Sequence, residues 1–146
     1  MERLAMKRYK RGLFPMCADI LHAGHIMALK EAKEHCDYLI VALNTHPDGK
    51  TPVQSVFERY TQLCAVKYVD EVIPYQGKAD MEVLASMLKY DVRFVGMDYF
   101  DKKWDGKEQE YDRGIKPCFI KRSHRLSSTE LKDRILRGND NASCGL

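Results

Sequence analysis

The stretch Met16-Cys-Ala-Asp-Ile-Leu-His-Ala-Gly-His25 decides the fold class that this sequence predicts. The apolar residues 13–18 lead into it and predict a buried strand, and the helical spacing that follows predicts a helix over residues 23–35. A strand therefore turns sharply into a helix, whose first turn carries His22 and His25 on one face. The unpaired N–H groups and the positive dipole end of that helix favour an anion there.

The rest of the chain alternates strand-like and helix-like segments. Further strands are predicted over residues 38–44, 71–75, 92–96 and 118–120, and further helices over 55–66, 81–89, 107–113 and 127–137. Capping boxes indicate two helix starts, at Ser55 with Glu58 and at Ser127 with Glu130. The alternation predicts an α/β fold with a single Rossmann-like, doubly wound sheet of about five parallel strands flanked by helices. We expect a basic N-terminal tail over residues 1–11, one domain over 12–137 and a flexible C-terminal tail over 138–146.

Composition excludes several classes of function. The 146 residues are 45% apolar, which suits one globular domain, and the net charge of +3 is too small to indicate a nucleic-acid partner. No apolar run is long enough to span a membrane, and the N-terminus lacks the apolar core of a signal peptide. The five cysteines are scattered along the sequence, which favours buried thiols in a reducing compartment over disulfides or a metal site. We therefore expect a cytoplasmic protein with no membrane partner.

Donor groups gather on the loops that follow the predicted strands, which is where open parallel sheets bind ligands. They are His22 and His25, Lys50 in a Pro-Asp-Gly-Lys-Thr-Pro loop, Arg122, and the hydroxyls of Ser127, Ser128 and Thr129. The sequence shows no Ser-His-Asp arrangement, so hydrolysis by a protein nucleophile is disfavoured. Many donors without a nucleophile suit direct displacement at phosphorus, in which the substrate supplies the attacking oxygen.

Two other interpretations of the histidine pair remain open at this point. Two histidines three residues apart also occur as zinc ligands, but the sequence has no Cys-x-x-Cys or His-Glu-x-x-His partner motif, so we expect no protein metal site. The pair could equally be two polar residues at a helix start.

Two motifs in register carry a family resemblance. The stretch from Met16 to His25 resembles the His-x-Gly-His signature of the nucleotidyltransferase superfamily, and Arg122-Ser-His-Arg-Leu-Ser-Ser-Thr129 resembles its second signature. Tyr68-Val-Asp-Glu-Val-Ile-Pro74 also matches in order and spacing. Over residues 12–136 the pattern is similar to the small cytidylyltransferases, most closely the glycerol-3-phosphate cytidylyltransferase type.

The resemblance implies transfer of CMP from CTP to a small phosphorylated acceptor, with release of pyrophosphate. The leading acceptor is sn-glycerol 3-phosphate, which would give CDP-glycerol. Mg²⁺ would accompany the nucleotide, since it needs few protein ligands, and relatives of this size are homodimers. The implied catalytic residues are His22, His25, Lys50 and Arg122; the implied nucleotide-binding residues are these four with Cys17, Ala18, Ser127, Ser128 and Thr129.

Four further residues are weaker candidates for contacts with the acceptor: Asp19, Arg59, Lys67 and Asp98. Asp19 could instead cap the turn, Arg59 could pair within its own helix, and Lys67 could be a surface lysine. The first signature begins Met-Cys-Ala-Asp where the family usually has Gly-Thr-Phe-Asp. The Met-Cys-Ala-Asp version is similar to the cytidylyltransferases of phosphonate tailoring. The open alternatives are therefore a phosphonate acceptor, adenylyl transfer onto a phosphosugar or pantetheine phosphate, and a catalytically silent nucleotide-binding module.

Overall fold

Five parallel strands form one sheet, and helices connect them. A computed structural model describes residues 8–121 and 126–138. The strands are β1 (Tyr9–Met16), β2 (Cys36–Asn44), β3 (Glu71–Tyr75), β4 (Val92–Gly96) and β5 (Lys116–Ile120). The helices are α1 (Ala23–Glu34), α2 (Val56–Cys64), α3 (Gly77–Met87), α4 (Lys107–Asp112) and α5 (Ser128–Arg137), with a short 3-10 helix at Met97–Tyr99. The predicted α/β class is confirmed.

The order of the strands places the first one at the centre of the sheet. The order is β3-β2-β1-β4-β5, and β1 is parallel to β2 on one side and to β4 on the other. The chain therefore winds outward from β1 in one direction and later returns to β4 in the other. Ligands of such sheets bind where the direction reverses, outside the carboxyl ends of the strands. The loops that follow β1 and β4 lie at this position.

Several elements begin at residues other than those predicted. β1 begins at Tyr9 and not at residue 13, so residues 9–11 of the predicted basic tail lie in the sheet. Arg11 lies over the Tyr38 ring, 4.6 Å from its centroid, which lets a basic residue sit in the strand without burying its charge alone. α3 begins at Gly77, four residues early, because the Asp80 carboxylate accepts a hydrogen bond from the Gln76 N–H just before it. Residues 139–146 of the predicted C-terminal tail lie outside the described residues.

β2 explains why the sheet is covered on both faces. Its residues Leu39, Ile40, Val41, Ala42 and Leu43 are all fully buried. Because successive side chains of a strand point to opposite faces, a continuous buried apolar run requires a packed layer on each side. One layer includes Leu29 and Leu63 from α1 and α2, and the other includes Met81 from α3. The continuous apolar run in the sequence predicted this correctly.

The helices of the described residues are too short or too polar to cross a lipid bilayer.

Candidate active site

The loop between β1 and α1 has a strained backbone. Ala18 and Ile20 have φ angles of 55° and 47°, in the left-handed region that side chains rarely adopt. Each such residue costs on the order of 1–3 kcal/mol and persists only where its surroundings hold it in place. The Ile20 N–H donates to the Gln54 side-chain oxygen at 2.8 Å, which is one of the contacts that hold it. The loop is therefore fixed from outside, by the segment that precedes α2.

Asp19 connects three parts of the site. Its carboxylate accepts hydrogen bonds from the Val53 N–H at 2.9 Å and the Gln54 N–H at 3.0 Å, and it pairs with Lys132 Nζ at 2.9 Å. Its own carbonyl accepts a hydrogen bond from Ser128 Oγ at 2.8 Å. The carboxylate is 8% exposed. Asp19 thus holds the end of the Lys50 loop and the start of α5 against the first loop.

Protonation of Asp19 should weaken the fold. Burial raises the pKa of its carboxyl, but the hydrogen bonds from Gln54 and Val53 and the neighbouring Lys132 outweigh burial and leave the pKa below its usual value. The stabilisation is therefore fully present above the unfolded-state pKa of about 3.9 and is lost as the pH falls through the lower folded-state pKa. We expect Asp19→Asn to lower the free energy of unfolding at pH 7, by an amount that shrinks as the pH is lowered from about 5 to below 4.

Urea unfolding across this pH range measures the difference between Asp19→Asn and the unmodified protein. Asp133→Asn is a matched control, because Asp133 is an exposed aspartate on α5. Its free energy of unfolding should stay within about 0.5 kcal/mol of the unmodified protein at each pH. A gap for Asp19→Asn that does not change with pH would contradict the assigned role of the charge.

His22 and His25 cap α1 reciprocally. The His22 ring nitrogen Nδ1 accepts from the Gly24 N–H at 3.0 Å, and His25 Nδ1 accepts from the His22 N–H at 3.2 Å. The two rings lie 4.0 Å apart between centroids. This is a capping box made by histidines at the positions that Ser and Glu usually occupy. The sequence predicted the helix start but not this cap.

The cap fixes the tautomer of both rings. A backbone N–H can only donate, so each Nδ1 must be an unprotonated acceptor. In the neutral ring the proton then lies on Nε2, which becomes a hydrogen-bond donor. The capping box therefore prepares two N–H donors at the start of a helix, where the helix dipole also favours negative charge.

The start of α5 supplies hydroxyl groups on another wall of the site. Ser127 is the N-cap residue, and its Oγ accepts from the Glu130 N–H at 3.0 Å. That is one of the two hydrogen bonds of the predicted capping box. Ser128 Oγ is engaged with Asp19, so its hydroxyl links α5 to the first loop. By contrast, the predicted box at Ser55 and Glu58 has both hydrogen bonds.

These elements surround an open cavity of about 610 Å³, which we call the first cavity. Its volume lies within the range of small-molecule sites. Three lysines line it, Lys50, Lys121 and Lys132, with the carboxylates of Asp19 and Asp98. Since Lys132 is paired with Asp19, the other lysines are the cations that face a ligand from this part of the described chain. The cavity therefore combines cations, imidazole donors and hydroxyls, which suits a polyanionic ligand.

The structure brings most of the predicted site residues together. The first cavity is lined by Cys17, Ala18, Asp19, His22, His25, Lys50, Asp98, Ser127, Ser128 and Thr129. Arg122 lies outside the described residues. Arg59 and Lys67 do not line this cavity.

Arg59 is 1% exposed, and its side chain forms hydrogen bonds with the backbone of the loops around the site. Its guanidinium donates to four backbone carbonyls: those of Cys17 (3.0 Å), Asn44 (2.7 Å), Thr45 (3.0 Å) and Gln54 (3.3 Å). Three of these carbonyls end a strand or follow it directly: Cys17 follows β1, Asn44 ends β2 and Thr45 follows β2. Arg59 therefore positions the loops of the site, and no ligand role follows from its contacts.

Lys67 lies at a separate shallow cavity with Leu21, Ile26 and Tyr68. Its Nζ lies 5.2 Å from the centroid of the Tyr68 ring. This place is consistent with the alternative of a surface lysine.

Sequence reasoning missed two features near the site. Lys132 follows Ser128 by four residues, so the helical spacing could have placed it beside the first cavity. Arg93 is a cation inside the apolar strand β4, where it is 6% exposed and pairs with Glu110, itself 1% exposed, at 3.2 Å. An arginine within a buried strand is a visible signal of a polar network.

Comparison with known proteins identifies the family of this chain. The family model described as cytidylyltransferase-like matches residues 13–134. Glycerol-3-phosphate cytidylyltransferase of Staphylococcus aureus is 32% identical over 121 residues, which are 80% of this chain and 88% of that protein. The chain belongs to the cytidylyltransferase-like family. It is therefore a nucleotidyltransferase, and the predicted resemblance is confirmed.

Other relatives differ in length and name. The bifunctional protein HldE of Granulibacter bethesdensis is 37% identical over 108 residues, but the match covers only 22% of that protein. Among solved structures, the lipopolysaccharide core biosynthesis protein from Thermoplasma volcanium superposes with a TM-score of 0.63 at 28% identity. That match covers 81% of this chain and 99% of the other. The chain is thus similar to proteins that carry more than one name.

Proposed function

We propose that this nucleotidyltransferase is a cytidylyltransferase that transfers CMP from CTP to a small phosphorylated acceptor, with sn-glycerol 3-phosphate as the best candidate and CDP-glycerol as its product. The observation that carries the proposal is the reciprocal histidine cap, because it leaves the Nε2–H groups of both rings as donors at a helix start. Both histidines line the first cavity together with Lys50 and Lys121. The 32% identity to a glycerol-3-phosphate cytidylyltransferase supports this choice of nucleotide and acceptor.

In the proposed reaction, an oxygen of the acceptor phosphate attacks the α-phosphorus of CTP. A new P–O bond forms to the acceptor, the bond from the α-phosphorus to the bridging oxygen breaks, and pyrophosphate leaves with that oxygen. Negative charge moves onto the α-phosphoryl oxygens and the leaving pyrophosphate. His22 and His25 would donate to these oxygens, and Lys50 would balance the charge of the phosphates. The enzyme needs no covalent intermediate.

Mg²⁺ fits this site as an ion that arrives with the nucleotide. Within residues 8–121 and 126–138 there is no group of three or more His, Cys, Asp or Glu side chains that could hold a metal alone. Mg²⁺ keeps several waters and binds through substrate phosphates and one or two carboxylates, and Asp98 is a carboxylate at the first cavity. When bound, the ion would neutralise charge on the phosphates.

The second candidate is adenylyl transfer by the same displacement, because His22, His25 and Lys50 are donors for phosphate oxygens and do not distinguish cytosine from adenine. A phosphonate acceptor is a variant of the first candidate, and a silent nucleotide-binding module is the non-enzymatic alternative. We also propose that the protein acts in the cytoplasm as a homodimer. Light scattering coupled to size-exclusion chromatography tests the dimer, for which a monomer mass of 16.9 kDa would be the contrary result.

Pyrophosphate release tests the reaction. CTP and ATP should each be combined with Mg²⁺ and with glycerol 3-phosphate, sugar 1-phosphates or a phosphonate. Release that requires CTP and glycerol 3-phosphate together supports the first proposal. Release that requires ATP and an acceptor, and does not occur with CTP, replaces CTP by ATP in the proposal and keeps the mechanism. Nucleotide binding without release from any pair supports the silent module.

A further inference from the structure

A second cavity opens beside the first at the carboxyl ends of β1 and β4. Its volume is about 410 Å³, and it shares the residues Phe14, Met16, Cys17, Lys50 and Gly96 with the first cavity. A reaction by direct displacement needs the attacking oxygen about 3–3.5 Å from the phosphorus. An acceptor must therefore occupy a space that opens onto the nucleotide. The second cavity meets this condition.

The floor of the second cavity includes a buried arginine with incomplete hydrogen bonding. Arg93 Nη1 makes long contacts, at 3.2 Å to Glu110 Oε2, 3.4 Å to the Asp105 carbonyl and 3.6 Å to Met81 Sδ. Arg93 Nε is buried and has no hydrogen-bond partner among the described residues. An unpaired buried donor costs about 1–3 kcal/mol, more when it is charged. Nε is too enclosed for a ligand to reach, but Arg93 lines the cavity and is 6% exposed. Its hydrogen bonds within the described residues all use Nη1, so Nη2 retains the capacity to donate to a ligand oxygen.

The partner of Arg93 is also engaged by two other donors. Glu110 Oε1 accepts from Trp104 Nε1 at 2.9 Å, and Oε2 accepts from the Tyr90 hydroxyl at 2.6 Å in addition to Arg93. Both carboxylate oxygens are therefore engaged. This network also fixes the arginine in place, since Glu110 is 1% exposed and Tyr90 is 4% exposed.

Other side chains of the second cavity offer both donors and acceptors. Lys103 is a further cation, while Asp48, Asp105, Asn44 and Tyr75 can accept hydrogen bonds. Such a mixture suits several hydroxyl groups, each of which both donates and accepts. An ammonium group is a poor partner for Arg93, because both groups can only donate hydrogen bonds and neither offers an acceptor.

We propose that the second cavity is the acceptor subsite and that Arg93 selects acceptors with a hydroxyl or carboxylate oxygen at the end distant from the reacting phosphate. This inference rests on the proposed function, which places the phosphate of the acceptor next to the nucleotide. Lys50 lines both cavities and can contact both groups. Polyol phosphates and sugar phosphates meet the requirement. Phosphates of amino alcohols and of simple alkyl chains do not.

Trp104 provides a direct readout of this subsite. It is the single tryptophan of the chain, and it lines the second cavity. With a CTP or ATP analogue and Mg²⁺ present, the fluorescence of Trp104 should change saturably with glycerol 3-phosphate or a sugar 1-phosphate. We expect propyl phosphate and ethanolamine phosphate to bind about tenfold more weakly or worse, because neither offers Arg93 an acceptor oxygen at that end.

A double variant tests the role of Arg93. Arg93→Met/Glu110→Gln removes both charges of the pair together, so that neither is left buried alone. We expect KM for the preferred acceptor to rise about 10- to 100-fold and its advantage over propyl phosphate to fall by a similar factor. KM for the nucleotide should change less than about threefold. Lys116→Met is the matched control, because Lys116 is an exposed cation on β5 outside both cavities.

The outcomes separate this inference from the proposed function. The acceptor subsite would be overturned, and the transfer reaction left intact, by either of two results. One is that ethanolamine phosphate or propyl phosphate is as good a substrate as the polyol phosphates. The other is that the double variant discriminates between acceptors as the unmodified protein does. A fluorescence change that the double variant abolishes, without pyrophosphate release from any pair, would keep the subsite and overturn the proposed reaction. If the double variant does not fold, Tyr75→Phe and Lys103→Met, at less buried positions of the same cavity, should each raise KM for the acceptor severalfold.

Discussion

Replacement of His25 by alanine is expected to lower kcat by about 10²- to 10³-fold while the affinity for the nucleotide falls less than about tenfold. The reason is that the Nε2–H of His25 is a prepared donor whose hydrogen bond strengthens as charge develops on the transferred phosphoryl group. Removal of one such donor typically costs about 2.7–4 kcal/mol of transition-state stabilisation. Steady-state kinetics and equilibrium titration of the nucleotide measure the two quantities separately.

The alanine variant also removes a helix cap, so a second variant is needed to separate the two roles. His25 Nδ1 accepts from the His22 N–H, and loss of a cap costs about 1 kcal/mol of stability. His25→Asn keeps an acceptor oxygen close to the position of Nδ1 but has no donor at the position of Nε2. We expect it to retain most of the stability and to be as inactive as the alanine variant. Wild-type kcat in His25→Asn would reduce the role of His25 to capping.

The sequence predicts the fold well because local signals agree with one another. The buried run of β2 indicates a strand covered on both faces, and the Ser55 capping box marks the start of α2 within one residue. The prediction is wrong over residues 9–11, where the basic residues Lys10 and Arg11 suggest a solvated tail and the structure has the start of β1. There the pairing with β2 and the packing on Tyr38 extend the strand, and both are tertiary effects that local propensity does not contain.

The sequence predicts which loops form the candidate site, but not the contacts that hold those loops in place. The placement of loops at the carboxyl ends of strands brings His22, Lys50 and Ser127 together, as the alternation of elements implies. The roles of Asp19 and Arg59 depend on which backbone groups their side chains reach, and these groups lie 14 or more residues away in the sequence for most of their contacts. Spacing along the chain cannot show such contacts.

Arg93 shows the same limit at the second cavity. Its partner Glu110 lies 17 residues away, on the short helix α4. The sequence predicts this helix but not the elements against which it packs. The pairing becomes visible only when α4 packs beside α3 and closes over β4. A sequence pattern could flag the arginine as unusual in an apolar strand, but not name the carboxylate that compensates its charge or the cavity that it faces.

Arg59→Ala is expected to be the most destabilising substitution near the site, with a loss of about 4 kcal/mol or more in the free energy of unfolding. The variant leaves the carbonyls of Cys17, Asn44, Thr45 and Gln54 without their donor, and each unpaired buried carbonyl costs about 1–3 kcal/mol. It also opens a void where a fully buried side chain stood. Urea unfolding measures the loss.

Two further variants make this expectation specific. Arg59→Lys keeps the charge but has one nitrogen on a flexible stem, which cannot reach four carbonyls arranged around a planar guanidinium. We expect an intermediate loss of stability and a raised KM for the nucleotide, since Cys17 and the Lys50 loop lose their support. Arg137→Ala, at an exposed position of α5, should stay within about 0.5 kcal/mol. If Arg59→Ala unfolded at the same urea concentration as Arg137→Ala, the four carbonyl contacts would contribute nothing to holding the loops.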